Sequence, residues 1–490
     1  MILASKSLTG ETKAAALRLG GTEVLRIFRH YLSASVLCLF LCENSITFAV
    51  LVTAANALSP AGSTLANTLQ VYVVTVFIPT ALCAFLMLAA GLYDDWVIED
   101  ARRALPRLLA VLAIFVPVVV VTMSVEFDRG APKIQDIAIW YAVWASAAFA
   151  GAMIARIGYV AITRMTFAPR RILVVGVGKL AAEIEYLLSQ RPHGATEVVG
   201  YVALTDESVE IPQSRIRSNK APLLTLAREN GVKEIVVALS DRRGAPFQPL
   251  LDARMEGITI TSYLSFWERE TRRVNLDALD PSWLIYSDGF RIRTVTNGIL
   301  KRALDIFASL VLLIVTLPTL IAVAIAIKLD SRGPIFYRQD RVGRNGVTFT
   351  IFKFRTMRSD AESGGIPQWA AARDPRITRI GWFLRMTRID ELPQILNVLR
   401  GQMSFVGPRP ERPFFVQTLT TEIPFYSERH RVRPGITGWA QINYPYGASI
   451  EDAKAKLSYE LYYIKNYSFL FDLLIMLSTA EAVLFKKGAR

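Results

Sequence analysis

The sequence predicts a membrane protein of mixed α and α/β class: four N-terminal transmembrane helices, a Rossmann-like doubly wound cytoplasmic module, and a C-terminal domain mounted on a re-entrant helix. Three observations lead there. Apolar residues make up 52% of the chain at a mean hydropathy of +0.32, and they fall in long blocks instead of amphipathic periods. Strand-like and helix-like runs alternate after the fourth block. A fifth block then carries cations on both flanks. The expected boundaries are a cytoplasmic tail at 1–30, a four-helix bundle at 31–165, the module at 170–270, a connector at 271–299, and the last domain at 300–490 with its re-entrant helix at 301–329.

The first four blocks, at 32–57, 68–92, 105–125 and 137–161, each reach the ~20 residues a bilayer-spanning helix needs. A polar stretch precedes a block longer than a signal core, so the N-terminus is expected to be retained. Lys6, Lys13, Arg18, Arg26 and Arg29 precede the first block, Arg102, Arg103 and Arg107 surround the second connection, and Arg164, Arg170 and Arg171 follow the fourth. The positive-inside rule places these three regions in the cytoplasm. The uncharged connection at 59–63 and the mixed one at 126–136 fit the outside. Cys38, Cys42 and Cys83, the only cysteines, lie in the first two blocks and read as packing residues. Glu43 and Asn44 fall inside the first block, where an ionisable group marks either function or an interhelical bond. The net charge of +14 favours anionic lipid and anionic substrates. No basic-aromatic array accompanies it, so nucleic acid is not an expected partner.

In the module, 171–175 reads as a strand, Gly176-Val177-Gly178-Lys179-Leu180-Ala181 as a tight turn, and 182–190 as a helix; 197–202 and 234–239 read as further buried strands. Units alternating in this way imply a doubly wound parallel sheet. Gly176 and Gly178 match the glycine pattern used to approach a pyrophosphate. Asp206 comes late for a ribose-binding acid, which is expected about twenty residues on. A structural or regulatory module and a nucleotide-binding one both remain open.

The fifth block, 303–327, has the length of a spanning helix, with Pro318 near its middle. Lys301 and Arg302 precede it, and Lys328, Arg332, Arg338, Arg341 and Arg344 follow. Both ends therefore belong in the cytoplasm, which a single crossing cannot provide. A helix broken at Pro318, dipping into the inner leaflet and returning, satisfies the charges, because proline removes a backbone bond and clashes with the preceding turn. Near the C-terminus, 469–485 is an apolar run interrupted by Asp472 and Glu481, expected in the membrane interface or packed on the core.

The densest chemistry lies in Arg385-Met-Thr-Arg388-Ile-Asp390-Glu391-Leu-Pro393-Gln and the following Gly407-Pro408-Arg409-Pro410-Glu411-Arg412. Pro393 suits a first helical turn, Leu392, Ile395, Leu396 and Leu399 form a stripe, and Gly401 suits a stop, so Asp390 is expected at a helix N-terminus. An anionic nucleophile meeting an anionic substrate needs cations, which Arg385, Arg388, Arg409 and Arg412 could supply. The plainer reading makes Asp390 a helix cap among solvated ion pairs. Pro408 and Pro410 fix the backbone around Arg409, and Arg433 before Pro434 has the same character. The segments 333–339 and 348–355 alternate as strands that present cations.

These residues, with Lys353-Phe354-Arg355-Thr356-Met357 before them and Arg433-Pro434-Gly435-Ile436-Thr437-Gly438-Trp439-Ala440-Gln441 after them, resemble the bacterial polyprenyl-phosphate sugar-1-phosphate transferases, the monotopic phosphoglycosyl transferases. The resemblance runs from Lys301 to the C-terminus, and the connector Asp280-Pro281-Ser282-Trp283-Leu284-Ile285-Tyr286-Ser287-Asp288-Gly289 is similar to members from exopolysaccharide systems. The resemblance implies the re-entrant helix, a Rossmann-like module ahead of a catalytic domain, and a bacterial inner-membrane location with that domain on the cytoplasmic face. It implies transfer of a sugar-1-phosphate from a UDP-sugar to polyprenyl phosphate with release of UMP. Asp390 would form a phosphosugar-aspartyl intermediate, with Mg2+ on Asp390 and Glu391. Lys353, Arg355, Arg385, Arg409, Arg433 and Glu460 would contact substrate phosphate. Glu460 departs from the family, which usually has aspartate there. The partners expected are the UDP-sugar, polyprenyl phosphate, membrane lipid, a second copy in a homodimer, and downstream glycosyltransferases. Two other readings stay in view: a transporter or sensor gated by the module, which requires a spanning fifth helix, and a membrane-anchored oxidoreductase or epimerase, which requires a dinucleotide at Gly176 and Gly178.

Overall fold

The computed structural model describes residues 24–27, 30–58, 72–93, 101–127, 143–144, 146–147, 150–161, 169–190, 196–203, 208–217, 222–241, 247–287, 289–290, 295–358, 376–445, 447 and 449–484. Most of the tail, the connection at 59–63, all but the first two residues of 126–136, and Asp206 lie outside them. The chain divides into two compact units, residues 1–27 with 31–270 and residues 28–30 with 271–490.

A short β1–β2 pair (Val24–Ile27, His30–Ser33) precedes the apolar helices. Each of the four expected blocks carries helix: α1 (Ala34–Leu58), α2 (Ile78–Ala89) behind a π-helical turn at Val73–Phe77, α3 (Ala101–Phe127) and α4 (Ala150–Ala161). Among the described residues of this unit only α1 is long and apolar enough to cross a membrane, so four full crossings are not what the helices show. α3 begins with Arg102, Arg103 and Arg107 and contains Pro106 and Pro117, and the apolar part of α2 is short.

Glu43 has an interhelical partner. Its fully buried carboxylate on α1 pairs with Arg156 Nε of α4 at 2.7 Å and accepts from Tyr93 OH at 2.6 Å. Arg156 Nη1 donates to Leu92 O, and Arg107 Nη1 donates to Ala90 O and Gly91 O. Two arginines thus satisfy carbonyls beyond the end of α2 that the helix itself leaves unbonded.

The module folds as expected. Its sheet contains β3 (Arg170–Val175), β4 (Thr196–Val202), β5 (Ile216–Arg217), β6 (Glu234–Val237) and β7 (Thr259–Ser262), all paired parallel in the order β5-β4-β3-β6-β7. Helices α5 (Lys179–Ser189), α6 (Leu223–Glu229), α7 (Phe247–Met255) and α8 (Tyr263–Thr271) connect or follow the strands. Leu173, Val175, Val202, Ala227, Ile235 and Ala253 form the core, as the apolar runs of buried parallel strands require. Gly176 takes φ +123°, a conformation that only glycine adopts freely, and Gly178 caps α5.

The C-terminal unit is built on α10 (Val295–Asp330), which follows the short α9 (Pro281–Tyr286). At 36 residues, a straight α10 would be about 54 Å long. The helix is continuous through Pro318, where a break was expected. Proline costs a backbone bond and a clash with the preceding turn, and an apolar helix tolerates it because in an apolar medium the backbone has no partner to turn to outside the helix. Its two ends pack on the same unit. Near the start, Lys301 Nζ reaches Asp472 at 2.7 Å, Arg302 donates to the carbonyls of Val398 and Leu399, and Asp305 accepts from Ser404 Oγ and Phe405 N. Near the finish, Val323 and Ile327 cluster with Phe354 and Leu384. Between them the helix is bare, with Ile314 72% and Val315 70% exposed.

On this base sit the hairpin β8 (Phe336–Val342) and β9 (Thr348–Phe354), α11 (Arg379–Thr387), a 3-10 helix at Ile389–Gln394, α12 (Ile395–Leu399), β10 (Ser404–Val406), α13 (Pro413–Glu422), a second 3-10 helix at Tyr426–Arg431, β11 (Gly435–Thr437), α14 (Trp439–Asn443), α15 (Ile450–Lys465) and α16 (Phe469–Leu484). The apolar C-terminal run, α16, packs on this core, with Phe471 and Ile475 fully buried.

Candidate active site

The strands β8 and β9 pair antiparallel, with Tyr337 opposite Lys353. Strand alternation puts Lys353 on the same face of β9 as the buried Phe349 and Ile351. Fully buried Asn397 on α12 locks the strand there: Phe352 N donates to its Oδ1, and its Nδ2 donates to Thr350 O. Lys353 Nζ consequently reaches Glu391 Oε1 at 2.7 Å.

Asp390 and Glu391 occupy the first turn of the 3-10 helix. The expected long α-helix is instead this 3-10 turn, with Pro393 inside it, followed by five-residue α12. Gly401 at φ +79° ends α12, as the sequence requires. The chain enters through Arg388, whose left-handed φ of +59° costs about 1–2 kcal/mol for a residue with a Cβ. The reversal turns the dyad toward β9.

Arg409 comes from a loop built by glycine. β10 and β11 lie parallel, Ser404 beside Gly435 and Val406 beside Thr437. A Cβ on Gly435 would stand 2.1 Å from Gly407 N, and one on Gly438 2.2 Å from Gly407 O, so only glycine permits the approach that places the Pro408-Arg409-Pro410 loop. From it Arg409 Nη2 reaches Glu391 Oε1 at 2.6 Å and Nη1 reaches Oε2 at 3.4 Å.

The two carboxylates therefore differ. Burial by itself would raise Glu391, but Arg409 and Lys353 outweigh it and hold the group well below the carboxylate range. Asp390 is pushed upward, first by burial and then by the charge of Glu391, against Lys353, Arg385 and Arg388. Its Oδ1 is buried with no hydrogen-bond partner. Glu391 is thus a neutralised anchor, and Asp390 is a proton-avid carboxylate in a dry, cationic setting with a lone pair to use.

Of the other predicted residues, Arg385 lies near Asp390, its Nε held by Thr356 Oγ1 at 3.0 Å. Arg355 does not join the site. It follows Lys353 on the inward face and donates to the carbonyls of Ser331 and Arg332, fastening the end of α10. Arg433 is half-buried on the neighbouring loop and makes no ion pair among the described residues. Glu460 is buried against Arg429, not open to a phosphate. Gly176 and Gly178 belong to the other unit. Asn397, Thr356 and Arg429 support the site and were not anticipated: Arg429 sits in the run Ser427-Glu428-Arg429-His430-Arg431, which reads as solvated charge.

Among the described residues no three His, Cys, Asp or Glu side chains gather as metal ligands. Both oxygens of Glu391, expected as a ligand, are on cations. The free Asp390 oxygen fits a magnesium ion that keeps several waters and shares a substrate diphosphate, the usual habit of that ion; a protein-only cage is absent from the described residues.

Residues 296–486 match the bacterial sugar transferase family model, and residues 88–254 match a CoA-binding domain model. The exopolysaccharide production protein PSS of Rhizobium leguminosarum bv. phaseoli is 44% identical over 195 residues, 38% of this chain and 96% of that protein. The chain belongs to the bacterial sugar transferase family. Another member of the family, the UDP-glucose:undecaprenyl-phosphate glucose-1-phosphate transferase of Xanthomonas campestris pv. campestris, is 32% identical over 331 residues, 65% of this chain and 68% of its own. The UDP-N-acetylgalactosamine-undecaprenyl-phosphate N-acetylgalactosaminephosphotransferase of Aeromonas hydrophila is 43% identical over 223 residues, 46% of this chain; the match spans about half of that relative, 52%. The segment matching the sugar transferase family contains Lys353, Asp390, Glu391 and Arg409.

Proposed function

We propose that the chain transfers a sugar-1-phosphate from a UDP-sugar to a polyprenyl phosphate at the inner face of a bacterial membrane, through a covalent aspartyl intermediate. The observation that carries this is the asymmetric dyad: Asp390, buried with an unbonded oxygen, beside Glu391 neutralised by Lys353 and Arg409. Asp390 attacks the sugar-bearing phosphorus, the bond from that phosphorus to the bridging oxygen breaks, and UMP leaves with the electron pair. A phosphate oxygen of the polyprenyl acceptor then attacks the same phosphorus and expels the Asp390 carboxylate, giving the diphosphate-linked sugar. Splitting the reaction at one carboxylate divides one difficult displacement into two easier ones. Lys353 uses one of its three N–H groups on Glu391, which leaves two for phosphate oxygens. Arg409 and Arg385 stabilise charge on the equatorial oxygens. Magnesium held by Asp390 and the diphosphate would offset ground-state charge and polarise the phosphoryl group.

The acceptor is a lipid, and α10 supplies the means to meet it. Its apolar middle is exposed while residues near both ends make contacts within the C-terminal unit, which supports an apolar surface seated in one leaflet beside the lipid acceptor. The continuity of α10 favours the competing reading of a gated transporter with a spanning helix, but the cations on both of its flanks argue against a crossing.

The relatives act on glucose and N-acetylgalactosamine donors, so the test presents UDP-glucose, UDP-galactose and UDP-N-acetylgalactosamine to membranes containing the chain and polyprenyl phosphate, and follows UMP. Release with at least one donor is expected, with loss in Asp390→Asn. Absence of UMP with every donor would refute the reading.

A further inference from the structure

We propose that Arg429, clamped by Glu460, is a positioning residue that sets the backbone of Arg409; this rests on the transfer reaction assigned above. Arg429 lies in the 3-10 helix Tyr426–Arg431 and is only 4% exposed. Its Nε and Nη2 each donate to a different oxygen of Glu460, both at 2.7 Å, the two-pronged geometry that fixes a guanidinium in its plane. Nη1 donates to Tyr426 OH at 3.0 Å, and the guanidinium lies 5.0 Å from that ring's centroid. The remaining bond runs toward the site: Nη2 donates to the backbone carbonyl of Arg409 at 2.9 Å.

The clamp has a firm base. Glu460 belongs to 16-residue α15, whose first turn is closed by a reciprocal Ser449–Asp452 capping box. Pro408 and Pro410 restrict the backbone on either side of Arg409, Pro410 excluding the helical region for Arg409 itself. With its carbonyl tethered as well, Arg409 retains little freedom beyond its side-chain torsions, and its guanidinium is delivered to Glu391 Oε1 at 2.6 Å. Arg429 and Pro408 also line the same small cleft as Arg409, so a shift of the tether would move the cleft wall and the cation together. Glu460, expected to touch substrate, acts instead two bonds behind it. The Glu460 side chain reaches Arg429 from α15 with both of its oxygens.

A positioning role has a signature that a purely structural role lacks, because its effect must pass through Arg409. Inorganic pyrophosphate binding to the full chain in detergent, measured by calorimetry, reads this without turnover. Arg429→Lys keeps the charge but loses the fork. It is expected to weaken binding about tenfold, the equivalent of one charged hydrogen bond lost. Arg409→Ala is expected to weaken it at least as much, and the double variant no more than Arg409→Ala alone. Glu460→Asp, a gentler change, should fall between wild type and Arg429→Lys, and it keeps the test intact where the lysine variant folds poorly. Additive losses, wild-type binding by Arg429→Lys, or no pyrophosphate binding by the wild type would overturn the proposal. Failure of the transferase reading shows separately, as a wild type that releases no UMP.

Discussion

Replacing Lys353 with methionine isolates the ion-pair cluster that distinguishes the two carboxylates. The apolar stem is retained, so packing beside Phe349 and Ile351 changes little, and the lost element is the 2.7 Å bond to Glu391. Arg409 still reaches Glu391 at 2.6 Å, so the carboxylate is not left bare and the full cost of about 3–5 kcal/mol for orphaning a buried charge does not apply. A charge-assisted hydrogen bond of about 1.5–3 kcal/mol is the better measure. For a unit of this size, each kcal/mol lowers the melting temperature by roughly 2–4 °C, so a fall of roughly 3–12 °C is expected at neutral pH. The sign with pH follows from Glu391, which is held below its ordinary 4.5. Its contribution is fully present above that value and is lost as the pH falls through the folded-state value. The gap between wild type and Lys353→Met should therefore narrow on acidification. Thermal melts of the purified chain in detergent, followed by tryptophan fluorescence at neutral and acid pH, provide the assay. An unchanged melting temperature, or an equal gap at both pH values, would refute the reasoning.

Three further outcomes are expected. Arg355→Ala should destabilise the unit by about 1–3 kcal/mol, because the Ser331 and Arg332 carbonyls lose their donor, while donor KM in the UMP assay stays near wild type; a large rise in KM would return Arg355 to the phosphate site. Arg156→Leu should cost about 3–5 kcal/mol by orphaning the buried Glu43 carboxylate, measured as loss of folded protein after detergent extraction, and pairing it with Glu43→Leu should restore most of the yield. Since Asp390 must be ionised to attack and its proton affinity is raised by burial and by Glu391, kcat/KM for UMP release should fall on the acid side with a midpoint above the ordinary aspartate range. Glu391→Gln should move that limb to lower pH, because a like charge is removed.

What the sequence made legible was local. The parallel sheet of the module followed from uninterrupted apolar runs bounded by turns, and Gly176 adopts the positive φ its place in the turn predicted. Lys353 and Arg409, from separate motifs, both reach Glu391 beside Asp390. Roles that depend on which way a side chain faces were not legible. Arg355 is two residues beyond Lys353, yet the end of β9 turns it to the α10 carbonyls. Glu460 and Arg429 are separated by 31 positions and meet only because α15 passes behind the Arg409 loop. Pro318 carried a strong local signal for a break, yet the helix runs through it, as apolar helices do where the backbone has no outside partner.

The covalent intermediate is tested most directly by mass. The full chain would be incubated with its active UDP-sugar in the absence of polyprenyl phosphate, quenched in acid and digested, and the peptide containing Asp390 examined for an added phosphosugar. The adduct is expected on Asp390 in the wild type, absent in Asp390→Asn, and lost on addition of polyprenyl phosphate. Formation of the lipid-linked product by Asp390→Asn at the wild-type rate, or an adduct on a different residue, would contradict it.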